Sequence, residues 1–205
     1  APETFYNYDI MGNCIRETEV IGPQKSVTKD HYFDRHNRPW KAVEIDGDEV
    51  QSETIRVYDH LGQVVGLRER TSGDGTPVYR KTDFAYDNLG RQIARTGPSP
   101  HNGSQRPTTY FVYDAADNLR LKRDAVGAWT EYRTDALGRV VAVVEPGTED
   151  HSAPVTTMEY TPSGEVAAVQ DPIGRRTEFE YDNLGRVVAE RMSASDGPSG
   201  DVFAE

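Results

Sequence analysis

The hexapeptide Tyr-Asp-Asn-Leu-Gly-Arg occurs twice in this chain, at Tyr86–Arg91 and at Tyr181–Arg186, and degenerate copies precede and separate the two. Eight copies can be read. Their first residues stand at positions 8, 33, 58, 86, 113, 134, 160 and 181, which are 21 to 28 residues apart. A unit that repeats through a whole chain determines architecture before it determines chemistry. We therefore expect one small structural unit, built eight times.

Each copy carries residues with the backbone preferences of a tight turn. Aspartate at the second position can accept backbone N–H groups, and glycine at the fifth tolerates positive φ without steric cost. A type I turn that closes into a G1 bulge needs both. Asn37 and Asp117 replace the glycine in two copies, and these residue types best tolerate the left-handed region. Where Thr161 replaces the aspartate, Pro162 follows, and proline favours a type I turn.

We expect these residues to be structural and none of them to be catalytic. The predicted turn residues are Tyr8, Asp9, Gly12, Asp34, Asn37, Tyr58, Asp59, Gly62, Tyr86, Asp87, Gly90, Tyr113, Asp114, Asp117, Asp135, Gly138, Tyr160, Gly164, Tyr181, Asp182 and Gly185.

The flanks of the turns favour β-strands. Aromatic residues such as Phe84 and Phe179 stand two positions before the first residue, and β-branched runs such as 187–188 follow the glycine. Second turns of the form Asp-x-x-Gly, at 124–127 and 171–174, link one hairpin to the next. The sequence predicts an all-β fold with essentially no helix, in which a continuous antiparallel meander of about eight hairpins forms a curved or spiralling sheet.

The organisation that we expect is a single domain over residues 1–205. The repeats occupy about residues 4–192, and a flexible Ser- and Gly-rich tail covers 193–205. The polar residues mixed into both strand faces predict a thin wall with modest burial. The chain enters a repeat almost at once, which is typical of a mature product or a piece of something longer.

The composition restricts the possible partners and sites. With 23 basic and 34 acidic residues the formal charge is −11, which argues against binding to nucleic acid or to an anionic membrane. The sequence has no transmembrane stretch and no signal peptide, so we expect no membrane insertion. Cys14 is the only cysteine, which excludes an intrachain disulfide, and we expect a small half-buried strand residue.

The sequence offers little for catalysis or for a cofactor. Its five histidines have no cysteine or histidine neighbour at metal-ligand spacing, and neither a Gly-x-Ser-x-Gly elbow nor a phosphate-binding glycine loop is present. The acidic segment 46–49 could offer oxygen ligands to Ca²⁺, but an ordinary hairpin turn is the favoured interpretation. We expect no catalytic residue, no cofactor and no metal site.

The fourth position, directly before the glycine, is apolar in five copies. A solvated tip has no use for such a residue, so we hypothesise that these side chains pack on neighbouring copies in a ridge. They are Met11, Leu61, Leu89, Leu137 and Leu184.

The Tyr-Asp-x-x-Gly-Arg units, the linking Asp-Pro-Ile-Gly-Arg at 171–175 and the recurring Leu-Gly-Arg-Val-Val resemble the YD repeats of the RHS family. The resemblance implies a β-sheet ribbon that spirals into a hollow shell, which in bacterial toxins encloses a C-terminal toxin domain. It implies a non-enzymatic scaffold, secreted or on the bacterial cell surface, including delivery by a secretion system. The expected partner is the remainder of a longer RHS-type polypeptide or an enclosed toxin domain.

Two alternatives to a purely structural role follow from the same residues. In the bacterial family an Asp-Pro-x-Gly motif near the end of the shell belongs to a self-cleaving site. Here Arg175, Arg176 and a further complete copy follow the motif, so a turn is favoured. The other alternative is a surface that binds glycans or proteins, because Trp40, Trp129 and the tyrosines could form a sugar-binding platform.

Overall fold

The computed structural model describes residues 3–23, 25–71, 77–100, 105–148 and 152–193. These residues form sixteen β-strands and no helix, and the hydrogen-bonded order of the strands in the sheet is their order along the chain. The predicted all-β antiparallel meander is confirmed, whereas the curvature of the sheet stays a prediction. None of the described residues forms a helix with the length and apolar character of a membrane span.

The chain divides into two compact units, Ala1–Tyr110 and Phe111–Glu205, and β9 (Thr108–Tyr113) spans the division. The other strands of the first unit are β1 (Glu3–Tyr8), β2 (Cys14–Gly22), β3 (Lys25–Phe33), β4 (Pro39–Asp46), β5 (Glu49–Tyr58), β6 (Val64–Thr71), β7 (Val78–Tyr86) and β8 (Gln92–Thr96). Those of the second unit are β10 (Leu119–Arg123), β11 (Trp129–Thr134), β12 (Val140–Val144), β13 (Val155–Tyr160), β14 (Val166–Gln170), β15 (Arg176–Tyr181) and β16 (Val187–Ser193). The expectation of a single domain stays a prediction.

The repeat turns join each odd-numbered strand to the even-numbered strand that follows it. In the first copy the Gly12 N–H donates to the Asp9 carbonyl, the Asp9 N–H donates to the Asn13 carbonyl, and the register shifts by one residue at Tyr8. This is the hydrogen-bond pattern of the predicted type I turn with a G1 bulge. The acidic segment Asp46–Glu49 makes a separate tight hairpin connection between β4 and β5, with Gly47 at a φ of 62°.

The register between successive hairpins follows one rule in both units. In the first copy, Arg16 stands seven positions after Asp9, the second residue of the copy. It pairs with Asp30, which stands three positions before Phe33, the first residue of the next copy. The same two offsets describe the pairing between all successive copies. The pairs are Arg16↔Asp30, Lys41↔Ile55, Gly66↔Asp83, Ala94↔Tyr110, Leu121↔Glu131, Ala142↔Thr157 and Ala168↔Glu178. Because the connections between these strands differ in length, the register is determined by strand pairing and not by the connections.

Burial is slight on both faces of the sheet. Val43, Ala142 and Ala168 are the buried apolar residues among those described, and no described side chain is fully buried. Ala142 and Ala168 occupy the register position defined above. This confirms the predicted thin wall, in which hydrogen bonds and cross-strand pairs stabilise the sheet more than a thick core does.

Four parts of the sequence fall outside the described residues. They are residues 72–76, residues 101–104, which include His101, residues 149–151, which include His151, and the predicted tail from residue 194 onward.

Replacing the turn glycine of the third copy tests how much the positive φ contributes. Gly62 has a φ of 87°, and a methyl group built there would lie 3.6 Å from Arg38 Nη1, an ordinary contact. Gly62→Ala should therefore lower the free energy of unfolding by about 1 kcal/mol, and Gly62→Asn should cost less. Urea unfolding measures both.

Gly22→Ala is the matched control, since Gly22 has no positive φ and nothing within 4 Å of the added methyl group. Equal losses for Gly62→Ala and Gly22→Ala would contradict a conformational role for the turn glycine.

Candidate functional site

The carboxylate of the turn aspartate holds each turn together. In the second copy Asp34 Oδ1 accepts the backbone N–H groups of His36 at 2.8 Å and Arg38 at 3.0 Å, and Oδ2 accepts Arg38 Nε at 2.8 Å. Nine turns among the described residues share the double backbone bond to Oδ1, in repeat turns and linking turns alike. The aspartates are Asp9, Asp34, Asp59, Asp87, Asp114, Asp124, Asp135, Asp171 and Asp182.

The fifth turn position requires positive φ in every repeat copy. Asn37 at 62° and Asp117 at 68° are the only described residues other than glycine with positive φ, and both stand where the sequence replaces glycine. The glycines at this position are Gly12, Gly62, Gly90, Gly138, Gly164 and Gly185. In the seventh copy Thr161 Oγ1 takes the place of the carboxylate and accepts the N–H groups of Gly164 and Glu165.

The hypothesis of an apolar ridge at the turn tips is wrong. Met11, Leu61, Leu89, Leu137 and Leu184 are 69–78% exposed. The reason is that the N–H of the fourth residue of the copy points at the aspartate Oδ1, which leaves its side chain on the outside of the tip. The residue after the glycine contacts the next tip instead. The Asn13 Nδ2 donates to Asn37 Oδ1 at 2.5 Å, and a methyl group at Gly138 would lie 2.8 Å from Asn118 Oδ1.

The tyrosine that begins a copy bonds to the preceding copy. Its hydroxyl donates to a backbone carbonyl oxygen in the preceding copy, at 2.7–2.9 Å. The acceptor lies five positions after the second residue of that copy. The pairs are Tyr58 to Pro39, Tyr86 to Val64, Tyr160 to Val140 and Tyr181 to Val166. The sequence pattern predicts tyrosines at strand ends, and the structure has them there. It does not predict the hydrogen bond of the hydroxyl group, which explains why phenylalanine would not be equivalent.

Arginine strengthens this contact between copies. The Arg38 guanidinium pairs with Asp34 at 2.7 Å and lies 4.5 Å from the centre of the Tyr58 ring in the next copy. Arg139 pairs with Asp135 at 2.7 Å and lies 4.4 Å from the Tyr160 ring. We call this set, an arginine after one turn and the tyrosine of the next copy, the Arg–Tyr joint.

The arginine occurs in alternate copies, and this alternation is visible in the sequence. The second, fourth, sixth and eighth copies have Arg38, Arg91, Arg139 and Arg186 after the turn. The first, third, fifth and seventh have Asn13, Gln63, Asn118 and Glu165. The Arg–Tyr joint therefore belongs to a unit of two hairpins, which the eightfold count of turns conceals.

The arginine after the turn lowers the pKa of the turn carboxylate. The hydrogen bond from Arg38 lowers the pKa of Asp34 from its ordinary value of 3.8 to about 2. The hydrogen bonds from Arg139 and Arg186 lower the pKa values of Asp135 and Asp182 in the same direction. The charged form of each carboxylate is the one that the turn requires.

A buried carboxylate on a strand, that of Glu53, also has both oxygens in hydrogen bonds. Glu53 is 8% exposed, and it accepts Lys41 Nζ at 2.6 Å on Oε1 and the Tyr79 hydroxyl at 2.7 Å on Oε2. The hydrogen bond from Lys41 is the main cause that lowers its pKa. Glu53 is thus a cross-strand tie between β4, β5 and β7 and is not available as a general base.

The motif that could indicate self-cleavage forms a linking turn. Asp171 Oδ1 accepts the N–H groups of Ile173 and Arg175, and Oδ2 accepts Arg175 Nε at 2.6 Å. In the part of the chain that the structure describes, no three histidine, cysteine or carboxylate side chains are grouped to hold a metal ion. His31 is half-buried, and His36 and His60 are exposed at turn tips.

One concave region in the first unit carries exposed aromatic side chains. It has a volume of about 620 Å³ and its lining includes Asp9, Asp30, Tyr32 and Trp40. The ring centres of Tyr32 and Trp40 lie 6.2 Å apart at 56°. Trp129, the other tryptophan, lies under the Arg123 guanidinium at 5.8 Å.

The chain is similar to known proteins in one part of its sequence. The family model "RHS Repeat" matches residues 160–197, which contain the seventh and eighth copies. This match confirms the resemblance that the motifs indicated. No curated protein matches the chain at a significant level.

Three solved structures share a limited likeness with the chain. They are the Photorhabdus luminescens Tc holotoxin pore (12% identity, TM-score 0.41), TcdB2–TccC3 without its hypervariable C-terminal region (13%, 0.43), and a porin-like protein from Bacteroides uniformis (13%, 0.42). The matches cover 87%, 92% and 93% of this chain, and 13%, 12% and 88% of the respective other chains. This chain thus spans about an eighth of the two toxin chains. Likeness at this level carries no argument about function.

Removing one tyrosine hydroxyl tests the contact between copies. Tyr160→Phe leaves the Val140 carbonyl without its donor, so the free energy of unfolding should fall by about 1 kcal/mol. Tyr132→Phe is the control in the same unit, because the Tyr132 hydroxyl has no hydrogen bond to any described residue. Equal effects of Tyr160→Phe and Tyr132→Phe would contradict the joint.

Removing the arginine of the same joint is a second test. Arg139→Ala should lower the urea midpoint more than Arg133→Ala, whose ion pair with Glu131 is more exposed.

The depressed pKa of Asp34 predicts a pH dependence of stability. Asp34→Asn keeps an oxygen for the two N–H groups but loses the charged pair with Arg38. Because the folded pKa lies below the ordinary value, the stability advantage of the natural chain is complete above pH 3.8. It declines below that pH and disappears below about pH 2. Urea midpoints of both proteins, measured from neutral pH downward, check this, and a difference that does not change with pH would contradict it.

Proposed function

We propose, since residues 160–197 belong to the RHS repeat family and the other copies share their hairpin geometry, that the chain is a non-enzymatic structural scaffold. It forms a segment of an RHS-type wall that encloses or presents a toxin or adhesive domain. The observation that carries the proposal is that the repeated polar side chains are consumed in holding turns and copies together.

The use of the repeated groups supports a mechanical role. The Asp34 carboxylate uses both oxygens within its own turn, and the Tyr58 hydroxyl bonds to the copy before it. A catalytic group needs a free lone pair or proton at the place where a substrate binds. At Asp34 and Tyr58 neither is left, because these groups are used to hold the turn and the strand register.

The thin sheet supports a partner of protein character. Few apolar residues are buried among the described residues, and many large apolar side chains are exposed. Examples are Phe5, Val57, Tyr110 and Val188. Such surface is normally covered by other protein. We therefore assign the remainder of a longer RHS-type polypeptide, or the domain that it encloses, as the partner. The setting that fits is secretion or the bacterial cell surface, and the charge of −11 disfavours nucleic acid.

Protease protection in the natural polypeptide that contains these residues tests the enclosure. We expect the partner domain to resist protease while the wall is intact, and to be cleaved faster in a variant that carries Tyr58→Phe and Tyr160→Phe. Tyr132→Phe is the control that leaves the joints unchanged. A partner domain that is cleaved equally fast in the natural and the weakened protein would contradict enclosure.

A glycan-binding surface is the second candidate, and the region around Tyr32 and Trp40 favours it. A tilted pair of aromatic rings beside carboxylates suits the apolar faces and hydroxyl groups of a sugar. Glycan-array binding that is lost with Trp40→Ala and kept with Trp129→Ala would support this candidate. No binding by the natural chain would leave the scaffold as the sole proposal.

A further inference from the structure

The third residue before the start of each copy alternates in charge. It is a carboxylate in the even-numbered copies and uncharged in the odd-numbered copies. The carboxylates are Asp30, Asp83, Glu131 and Glu178, and the uncharged residues are Phe5, Ile55, Tyr110 and Thr157. From the second copy onward, the residue at this position pairs with a strand of the preceding copy. The alternation therefore lies at the junctions between copies.

In the first unit, arginine ties these carboxylates to the copy before them. Arg16 of the first copy binds both oxygens of Asp30, at 2.5 and 2.7 Å, and this hydrogen bonding is the main cause that lowers the pKa of Asp30. Arg68 of the third copy binds Asp83 Oδ1 at 2.8 Å. Arg106, from the connection after β8, takes the other oxygen of Asp83. Both carboxylates are thus held by charge across a junction.

The second unit has the same tie at two junctions. Arg120 of the fifth copy lies 4.0 Å from the carboxylate of Glu131 in the sixth copy. At the last junction Arg176 binds Glu178 at 2.9 Å and Glu159 of the seventh copy at 2.7 Å, so that it bridges the two copies. We call these four junctions, each from an odd-numbered to an even-numbered copy, the ionic seams.

The junctions from an even-numbered to an odd-numbered copy are of another kind. Between the sixth and seventh copies Arg139 lies on the Tyr160 ring, and no ion pair joins β12 to β13 among the described residues. The junction between the second and third copies has its own Arg–Tyr joint and, in addition, the buried pair of Lys41 with Glu53. The junction between the sixth and seventh copies is therefore the simplest example of the uncharged kind.

We propose that two hairpins linked by an Arg–Tyr joint, such as the sixth and seventh copies, form one block, and that the sheet opens at the ionic seams when salt screens charge. The Arg120 and Glu131 side chains at one seam are 46% and 32% exposed, and salt weakens such exposed pairs. The pair of Arg139 with Asp135 lies within one turn, so screening it does not separate two copies. The inference concerns the response of the sheet to ions and does not depend on whether the wall encloses anything.

The second unit offers three junctions of equal length for comparison. The strands β10 and β11, β12 and β13, and β14 and β15 each share three residue pairs. The first and third of these ladders are ionic seams, and the second is the uncharged junction. Because the backbone pairing is equally long in all three, a difference in their response to salt reports on the side chains that cross the junction.

Hydrogen exchange of the backbone amides at low salt and in about 1 M NaCl tests the seams. Amides of the β10–β11 and β14–β15 ladders should exchange about two- to fivefold faster in high salt, relative to those of the β12–β13 ladder. Equal acceleration of the three ladders, or no acceleration in any of them, would overturn the proposal.

Removing the charge at one seam tests whether the carboxylate causes the salt response. In Glu131→Gln the response of the β10–β11 ladder should disappear, and the β14–β15 ladder should keep its own. Glu145→Gln is the matched control, because Glu145 has no ion pair in the described part of the chain. A response of the β10–β11 ladder that persists in Glu131→Gln, or that disappears in Glu145→Gln, contradicts the assigned cause.

A double-mutant cycle tests the tie in the first unit. Arg16→Gln and Asp30→Asn should each lower the urea midpoint at low salt, and the double variant should lose less than the sum of the two. This coupling should shrink in high salt, because screening has already weakened the pair in the natural chain. Losses that simply add at low salt, or a coupling that salt leaves unchanged, count against an ionic seam at Asp30.

Discussion

The whole sheet depends on a carboxylate that accepts two backbone N–H groups inside one tight turn. In each aspartate turn Oδ1 fixes the backbone of the second and fourth residues after the aspartate, as Asp34 does for His36 and Arg38. This bond reverses the chain within a few residues and sets the bulge from which the next strand starts. The same two hydrogen bonds close the linking turn at Asp171. One local interaction therefore forms turns at both ends of the strands.

Turns alone would give a string of loosely paired hairpins, and isolated hairpins are marginal in water. The tyrosine hydroxyl and the arginine supply the missing contact, since Tyr160 reaches back to the Val140 carbonyl and Arg139 bridges its own turn to that ring. These contacts are partly exposed and individually weak. Their repetition at the same place in successive copies lets a sheet with little buried apolar surface keep a single register.

The sequence predicted what local backbone chemistry controls. Asn37 and Asp117 were expected at positive φ because few residues tolerate it, and they are found there. The leucine at the tips was misread, because a one-dimensional pattern shows that Leu89 is apolar but not that its N–H is tied to Asp87, which turns the side chain outward. The Arg–Tyr joint was missed because it links residues about twenty positions apart, although the alternation of Arg38 and Gln63 was visible.

The strand register is the same between successive copies although the connections differ in length, and this has a practical consequence. Between the second residues of successive copies the chain varies by several residues, yet Ala142 meets Thr157 by the same offset with which Arg16 meets Asp30. Extra length in the linkers leaves the lattice of strands undisturbed. Such linkers are natural grafting points, where a foreign peptide or a protease-cleavable tag can be spliced in without changing the pairing of the strands on either side.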